Sequence, residues 1–363
     1  MSHKIFNEFR LGDITLSNRI VMSPMTRCRA INNIPNELMA TYYQQRATAG
    51  LIITEGTAPS ANGLGYARIP GSYSSAQKSG WQKITQAVHE RGGHIFLQLM
   101  HTGRISHPDN MPPGTRIIAP SAIAAPGSMW TDSKGNQDFP VPEAMTEGDI
   151  HSAIEEYVHA ATLAIDAGFD GVELHGANGY LIDQFLNTAS NQRTDKWGGS
   201  PQNRIRFATE VAKAVVNEVG SQHVGMRLSP YGVASGMQPD PDMDRVYDLL
   251  SRELSEIGLV YVHLVDHSSM GAPEVKPAIK QVIRKNFEHA LILSGGYDAK
   301  HARQDVDEDR ADLIAFGRPF ISNPDLVEKL KDEKTLTEWD ANTFYTADEK
   351  GYTDYPLSSN TTA

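Results

Sequence analysis

Eight short apolar, β-branched runs recur along the chain, most of them separated from the next by a stretch whose apolar residues fall three and four apart. The runs are 20–25, 50–55, 94–100, 171–175, 224–229, 259–265, 290–294 and 313–316. Between them, Ile154, Tyr157, Val158, Ala161 and Ile165 form one helical stripe. Ala208, Val211, Ala212, Val215 and Val219 form a second, and Val246, Leu249, Leu250, Leu254 and Ile257 a third. Each stripe is fit to lay one face on a sheet. Thr146-Glu147-Gly148-Asp149, ahead of the first stripe, reads as a capping box with Asp149 in the place of the usual Glu. Gly50, Gly168, Gly220 and Gly258 stand just before strands, where a glycine at positive φ ends a helix. Strand–helix alternation eight times over implies parallel strands with right-handed crossovers, and such units close into an α/β (β/α)8 TIM barrel. A doubly wound open sheet is the competitor. It wants a Gly-x-Gly-x-x-Gly turn after its first strand, whereas run 20–25 leads into Thr26-Arg27-Cys28-Arg29.

The expected organisation is one barrel domain over 1–363, within the usual size of that fold once insertions are allowed. Residues 5–18 read as a hairpin turning at Gly12-Asp13 that closes the barrel floor. Residues 101–145, rich in Pro, Gly and Ser, are too long for a simple connection and are expected to form a lid or stay disordered. Residues 357–363 read as a flexible tail. Lys and Arg number 33 against 44 Asp and Glu, a net charge of −11, so no excess positive field attracts nucleic acid or an anionic membrane. The lone Cys28 rules out an intrachain disulfide, a four-thiolate iron–sulfur cluster and a thiolate zinc site. Residues 1–8 are too polar for a signal peptide, and no run approaches the length of a membrane span. A cytoplasmic monomer or homodimer acting on small molecules is expected.

In a barrel, chemistry gathers where strands end and the following loops begin. Those ends are Ser23-Pro24-Met25-Thr26, Thr54-Glu55-Gly56-Thr57, Gln98-Leu99-Met100-His101, His175 through Tyr180, Arg227, Ser294-Gly295-Gly296 and Gly317-Arg318. The last two suit a phosphate. Adjacent glycines let backbone N–H groups approach an anion, and Gly317-Arg318 adds a guanidinium at the place where barrels often bind phosphate. The competing reading makes Gly295-Gly296 a tight turn and Arg318 half of a surface ion pair. His175 and Asn178, three apart, are fit to donate hydrogen bonds to one spot. Metal binding is not expected, since amides ligate transition metals poorly and no second ligand has the spacing. Arg227, near the barrel mouth, requires a carboxylate or an anionic ligand. Gln98 is suited either to read a ligand's donor and acceptor edge or to cap backbone groups.

Together these ends resemble the old yellow enzyme family of FMN-dependent ene-reductases, from Phe6 to about Pro356. The likeness rests on 18–27 (Asn-Arg-Ile-Val-Met-Ser-Pro-Met-Thr-Arg), His101-Thr102-Gly103-Arg104, His175-Gly176-Ala177-Asn178-Gly179-Tyr180-Leu181, Asn191-Gln192-Arg193-Thr194-Asp195, Trp197-Gly198-Gly199-Ser200 and Asn203-Arg204, in the family's order and spacing. The resemblance implies FMN across the barrel mouth, its phosphate at Gly295, Gly296, Gly317 and Arg318. Thr26 would bond the flavin C4 carbonyl, Gln98 would read the pyrimidine edge, Arg227 would sit by N1 and C2=O, and Pro24, Met25 and Gly56 would line the ring. His175 and Asn178 would hold the carbonyl or nitro oxygen of an activated alkene, and Tyr180 would deliver the proton. NADH or NADPH would supply hydride in a ping-pong cycle. Tyr66, Met100 and Tyr345 are expected at the substrate, with Trp130 and Phe139 as further walls. Thr26, in place of cysteine, places the chain with the classical branch, whose members often carry tryptophan where Met100 stands and in some cases histidine where Asn178 stands. A flavin-free aldolase or isomerase, and a non-catalytic flavin sensor, are the alternatives.

Overall fold

A computed structural model describes residues 3–357, so the expected tail, apart from Leu357, lies outside the described residues. Strands β1 (Phe9–Leu11) and β2 (Ile14–Leu16) form the antiparallel hairpin turning at Gly12-Asp13. Then come β3 (Ile20–Met22), β4 (Leu51–Ile53) and β5 (Ile95–Leu99). Four short strands follow: β6 (Ile118–Ala119), β7 (Ser128–Thr131), β8 (Gly135–Asp138) and β9 (Glu143–Ala144). The last five are β10 (Gly171–Gly176), β11 (Val224–Leu228), β12 (Tyr261–Val265), β13 (Ala290–Ser294) and β14 (Leu313–Phe316). Strands β3, β4, β5 and β10 to β14 close one barrel in sequence order, every neighbour parallel. This is the expected (β/α)8 barrel.

Each strand is apolar on both faces because alternate side chains enter two different cores. Ile52, Leu97, Leu174, Met226, Val262, Leu293 and Ile314 point outward into the helical layer. Leu51, Ile53, Phe96, Tyr261, Ile292 and Leu313 point inward, where Leu11 and Leu16 of the hairpin seal them from below. Two glycines make the floor possible. A Cβ on Gly171 would lie 2.5 Å from the Phe96 ring, and one on Gly225 2.3 Å from the Tyr261 ring, so those rings occupy the axis.

The capping box is present: Thr146 Oγ1 accepts from Asp149 N while the Asp149 carboxylate accepts from Thr146 N, opening the helix Glu147–Asp166. Gly168, Gly220 and Gly258 follow helices at positive φ as expected. Gly50 does not. Its φ is not positive, and it is required instead because a Cβ would lie 2.1 Å from the Asn18 carbonyl oxygen.

Residues 101–145 are ordered by their own pairings. Strands β7 and β8 make a hairpin, and β6 pairs with β9 in parallel. The polar C-terminal stretch is held by guanidinium groups together with Tyr352, which is buried in the core and stacked on Tyr42 at 4.0 Å between ring centroids. Arg29 donates to the carbonyls of Thr343, Phe344, Asp348 and Lys350, and Arg27 donates to those of Phe344 and Gly351. The resulting strap carries Tyr345 back over the barrel mouth.

Beneath the strap Glu55 is fully buried, accepting from Arg27 N at 3.3 Å and from the Tyr43 hydroxyl at 3.4 Å. Burial pushes its carboxyl up to about 7. A folded pKa above the unfolded one contributes stability below pH 4.5 that is lost as pH rises through 7. Glu55→Gln should therefore have no advantage at pH 4.5 and gain on the order of 3 kcal/mol over the parent by pH 8. Scanning calorimetry at both pH values reads this difference; a pH-independent difference would contradict it.

Candidate active site

Above the aromatic floor the inward positions turn polar. Gln98, Glu173, His263 and Ser294 form one layer, and His175 and Arg227, paired in register across β10 and β11, form the next. Buried polar groups need partners. Within the lower layer Gln98 Nε2 donates to Glu173 Oε1 at 2.8 Å, while the His263 ring bridges Glu173 Oε2 and Ser294 Oγ, each at 2.9 Å. Burial holds His263 below the usual imidazole range.

The upper layer lacks such partners. Arg227 is 7 % exposed, and among the described residues its side chain makes no hydrogen bond and no ion pair within 4 Å; its Nε is buried and unpartnered. Burial lowers its pKa, an effect Glu173 offsets in part. His175 Nδ1 is likewise buried without a partner, and burial together with the nearby Arg227 pushes the ring well below its usual range. His175 is therefore neutral at physiological pH.

Over this layer opens a cavity of about 1140 Å³, at or above the upper end for a single small ligand and roomy enough for a cofactor with a substrate. On one side lie Gly295, Gly296, Gly317 and Arg318. Cβ atoms at Gly295 and Gly296 would lie 1.9 Å from Asp266 O and 2.6 Å from Ser269 Cβ, so these turns exist only as glycine. Arg318 has no carboxylate partner among the described residues; it meets the Met270 sulfur, a weak acceptor, at 2.9 Å and lies over the Trp339 ring at 6.0 Å. Pro24, Met25 and Thr26 form a further wall.

This donor set fits FMN. A flavin's pyrimidine end presents an imide N–H and carbonyl oxygens. Gln98, with its NH₂ committed to Glu173, leaves its oxygen as an acceptor, and Arg227 offers an unsatisfied cation. A phosphate matches the glycine turns and Arg318.

The remaining sequence-predicted residues converge on the same space. His175, Asn178 and Tyr180 face it from the end of β10, and Tyr66, Met100, Trp130, Phe139 and Tyr345 wall it. Tyr180 packs edge-on against the His175 ring at 4.9 Å between centroids, and its hydroxyl meets that of Tyr66 at 3.0 Å. Gly56 is the exception. It does not line the cavity but sits behind Met100, whose sulfur would lie 2.4 Å from a Cβ there. Its smallness lets Met100 fill the wall. Cys28 reaches the wall, but burial pushes its thiol up to about 12, out of reactive range. His101 is fully buried, pushed down to about 3 by that burial, and no metal cluster exists among the described residues.

Sequence reasoning missed the end of β12. Val265, Asp266 and His267 all line the cavity, and His267 Nε2 lies 2.7 Å from Asn178 Oδ1. The sixth run carried the same signal as the seven ends that were read. Glu173 was legible as an inward residue by its parity with His175 on the same strand.

The profile of the NADH:flavin oxidoreductase / NADH oxidase family matches residues 4–337. A chanoclavine-I aldehyde reductase of Penicillium roqueforti is 42% identical, covering 98% of this chain and 97% of its own length. The 12-oxophytodienoate reductase 1 of Oryza sativa subsp. japonica is 40% identical over 97% and 93%. Among solved structures, morphinone reductase in complex with tetrahydroNAD superposes with TM-score 0.94 at 40% identity, covering 99% of both chains. The old yellow enzyme homologue of Zymomonas mobilis superposes with TM-score 0.94 at 40% identity, over 98% and 100%. No helix of the described residues is long and apolar enough to cross a membrane. The aldolase and sensor alternatives fall with these matches, which carry both the catalytic class and the cofactors. A guanidinium without a partner among the described residues, a glycine-walled anion cradle and whole-length likeness to these reductases agree: the chain belongs to the NADH:flavin oxidoreductase / NADH oxidase family, the old yellow enzymes, and is an ene-reductase that uses FMN and NAD(P)H.

Proposed function

We propose that this enzyme reduces the C=C bond of α,β-unsaturated carbonyl compounds, and of nitroalkenes by the same contacts, with His175 and Asn178 holding the activating oxygen and Tyr180 supplying the proton. When bound, FMN carries a hydride from NAD(P)H to the β-carbon of the alkene. Gly295, Gly296, Gly317 and Arg318 hold its phosphate, and Thr26, Gln98 and Arg227 hold the pyrimidine end, with Pro24 and Met25 against the ring.

The observation that carries this reading is the convergence of two uncharged donors and one phenol on a single cavity. Negative charge grows on the substrate oxygen as the β-carbon is reduced, and hydrogen-bond donors fixed at that oxygen stabilise the transition state more than the ground state. A neutral His175 donates without surrendering its proton. Tyr180 is suited to the last step, since burial raises its pKa above the usual phenol value and keeps the O–H in place. The Tyr66 hydroxyl lies 3.0 Å from that of Tyr180; donating to the Tyr180 oxygen, it would leave the Tyr180 hydrogen free for the α-carbon and steady the phenolate left behind. Met100, Tyr66 and Tyr345 shape the space around the alkene. NAD(P)H and the alkene occupy that space in turn, which gives ping-pong kinetics.

The test is anaerobic. NADPH should bleach the visible band of the purified yellow protein, and 2-cyclohexenone should restore it with formation of cyclohexanone. A band that NADPH bleaches but neither an enone nor a nitroalkene restores would refute the proposed substrate class.

A further inference from the structure

The loop after β10 fixes the Asn178 backbone firmly. Asn178 stands in the left-handed region at φ +61, and its N–H donates to Ser229 Oγ at 2.9 Å. Its carboxamide remains able to turn about its last bond, because the NH₂ and oxygen ends are nearly equal in size. Only one orientation serves a substrate oxygen. The NH₂ attracts it, whereas the amide oxygen repels it.

His267 faces this amide from the end of β12, its Nε2 2.7 Å from Asn178 Oδ1. Burial, reinforced by Arg227, lowers the imidazole to about 4, so at neutral pH the ring carries a single N–H. An amide oxygen only accepts, which puts that hydrogen on Nε2. The ring itself is presented from a pinned turn. Asp266, the residue before it, accepts from Ser268 N at 3.0 Å, Val275 N at 3.3 Å and Lys280 Nζ at 3.1 Å, and the His267 carbonyl accepts from Met270 N at 2.8 Å.

We propose that His267 is a positioning residue for alkene reduction: by donating to Asn178 Oδ1 it locks the carboxamide with its NH₂ toward the substrate oxygen. The inference rests on Asn178 being the oxygen donor described above. It assigns a task to a residue 89 positions away in sequence that shares no motif with it.

The experiment measures binding and turnover separately. On FMN-loaded, oxidised protein, where 2-cyclohexenone binds without reacting, calorimetric titration gives its Kd; stopped flow gives the rate of alkene reduction. His267→Leu, which keeps bulk and removes the donor, should weaken binding roughly tenfold, the worth of one lost hydrogen bond, and slow reduction in parallel. His267→Gln, which restores an N–H donor, should stay within about threefold of the parent. In an Asn178→Ala background His267→Leu should add less than about twofold, because the group it orients is gone. Equal loss in both backgrounds would mean that His267 contacts the ligand itself or acts on the fold, and would overturn the proposal. So would an unchanged Kd for His267→Leu where Asn178→Ala alone weakens binding. An Asn178→Ala variant that binds as the parent does would instead remove the carbonyl-donor reading. Should His267→Leu not fold, His267→Met carries the same comparison.

Discussion

Tyr180→Phe should slow alkene reduction by roughly 10²- to 10⁴-fold, the usual worth of a positioned general acid, while NADPH reduces the flavin within about threefold of the parent rate. The substitution removes one oxygen and keeps the ring, whose edge-on packing against His175 and Tyr66 holds the local geometry. Stopped-flow measurement of the two half-reactions separates them. Equal loss in both would show that Tyr180 supports the cavity rather than the proton transfer. A second consequence follows from the direction of its pKa. Burial raises the phenol above its ordinary value of about 10, so loss of the proton donor begins only beyond that pH. Alkene reduction in the parent should therefore stay flat between about pH 7 and 9 as far as this group is concerned.

Arg227→Met should change FMN binding and apoprotein stability in opposite directions. The guanidinium is buried without a hydrogen-bond partner among the described residues, and the net effect of its surroundings disfavours the charge. Removing a buried cation that Glu173 compensates only in part should stabilise the apoprotein by about 1–2 kcal/mol. The same change deletes the charge-assisted hydrogen bonds proposed between Arg227 and the cofactor, each worth about 1.5–3 kcal/mol, so FMN affinity should fall roughly 10- to 100-fold or more. Urea unfolding of the stripped protein and fluorescence titration with FMN read the two effects. An apoprotein destabilised by the change would show that the Glu173 charge had been the true partner of Arg227.

Much of this was legible in the residues themselves. Strand parity alone separates Leu97 and Leu174 from Gln98 and Glu173, because a strand that is apolar outward must turn its alternate residues into the barrel. Glycine is informative for a similar reason. Gly295 and Gly296 mark a turn where a methyl group has no room, and that survives translation from sequence to structure without knowledge of the partners. Gly56 shows the limit. It was expected to line the ring, and the structure instead sets it behind Met100, whose sulfur leaves no room for a Cβ.

The strap and the His267–Asn178 bond lay beyond reach for one physical reason. Arg29 meets Phe344 across 315 positions, and His267 meets Asn178 across 89. Local spacing fixes which way a side chain leaves its strand, so the barrel, its polar mouth and most residues facing it are readable along the chain, the end of β12 and Gly56 being the exceptions. Which of those residues touch one another depends on barrel closure, strand register and the return of distant loops, none of which has a local signature. The tertiary structure supplied the approach of His267 Nε2 to the Asn178 amide oxygen, the meeting of the Tyr66 and Tyr180 hydroxyls, and the return of the C-terminal strap over the mouth on backbone carbonyls bound by Arg27 and Arg29.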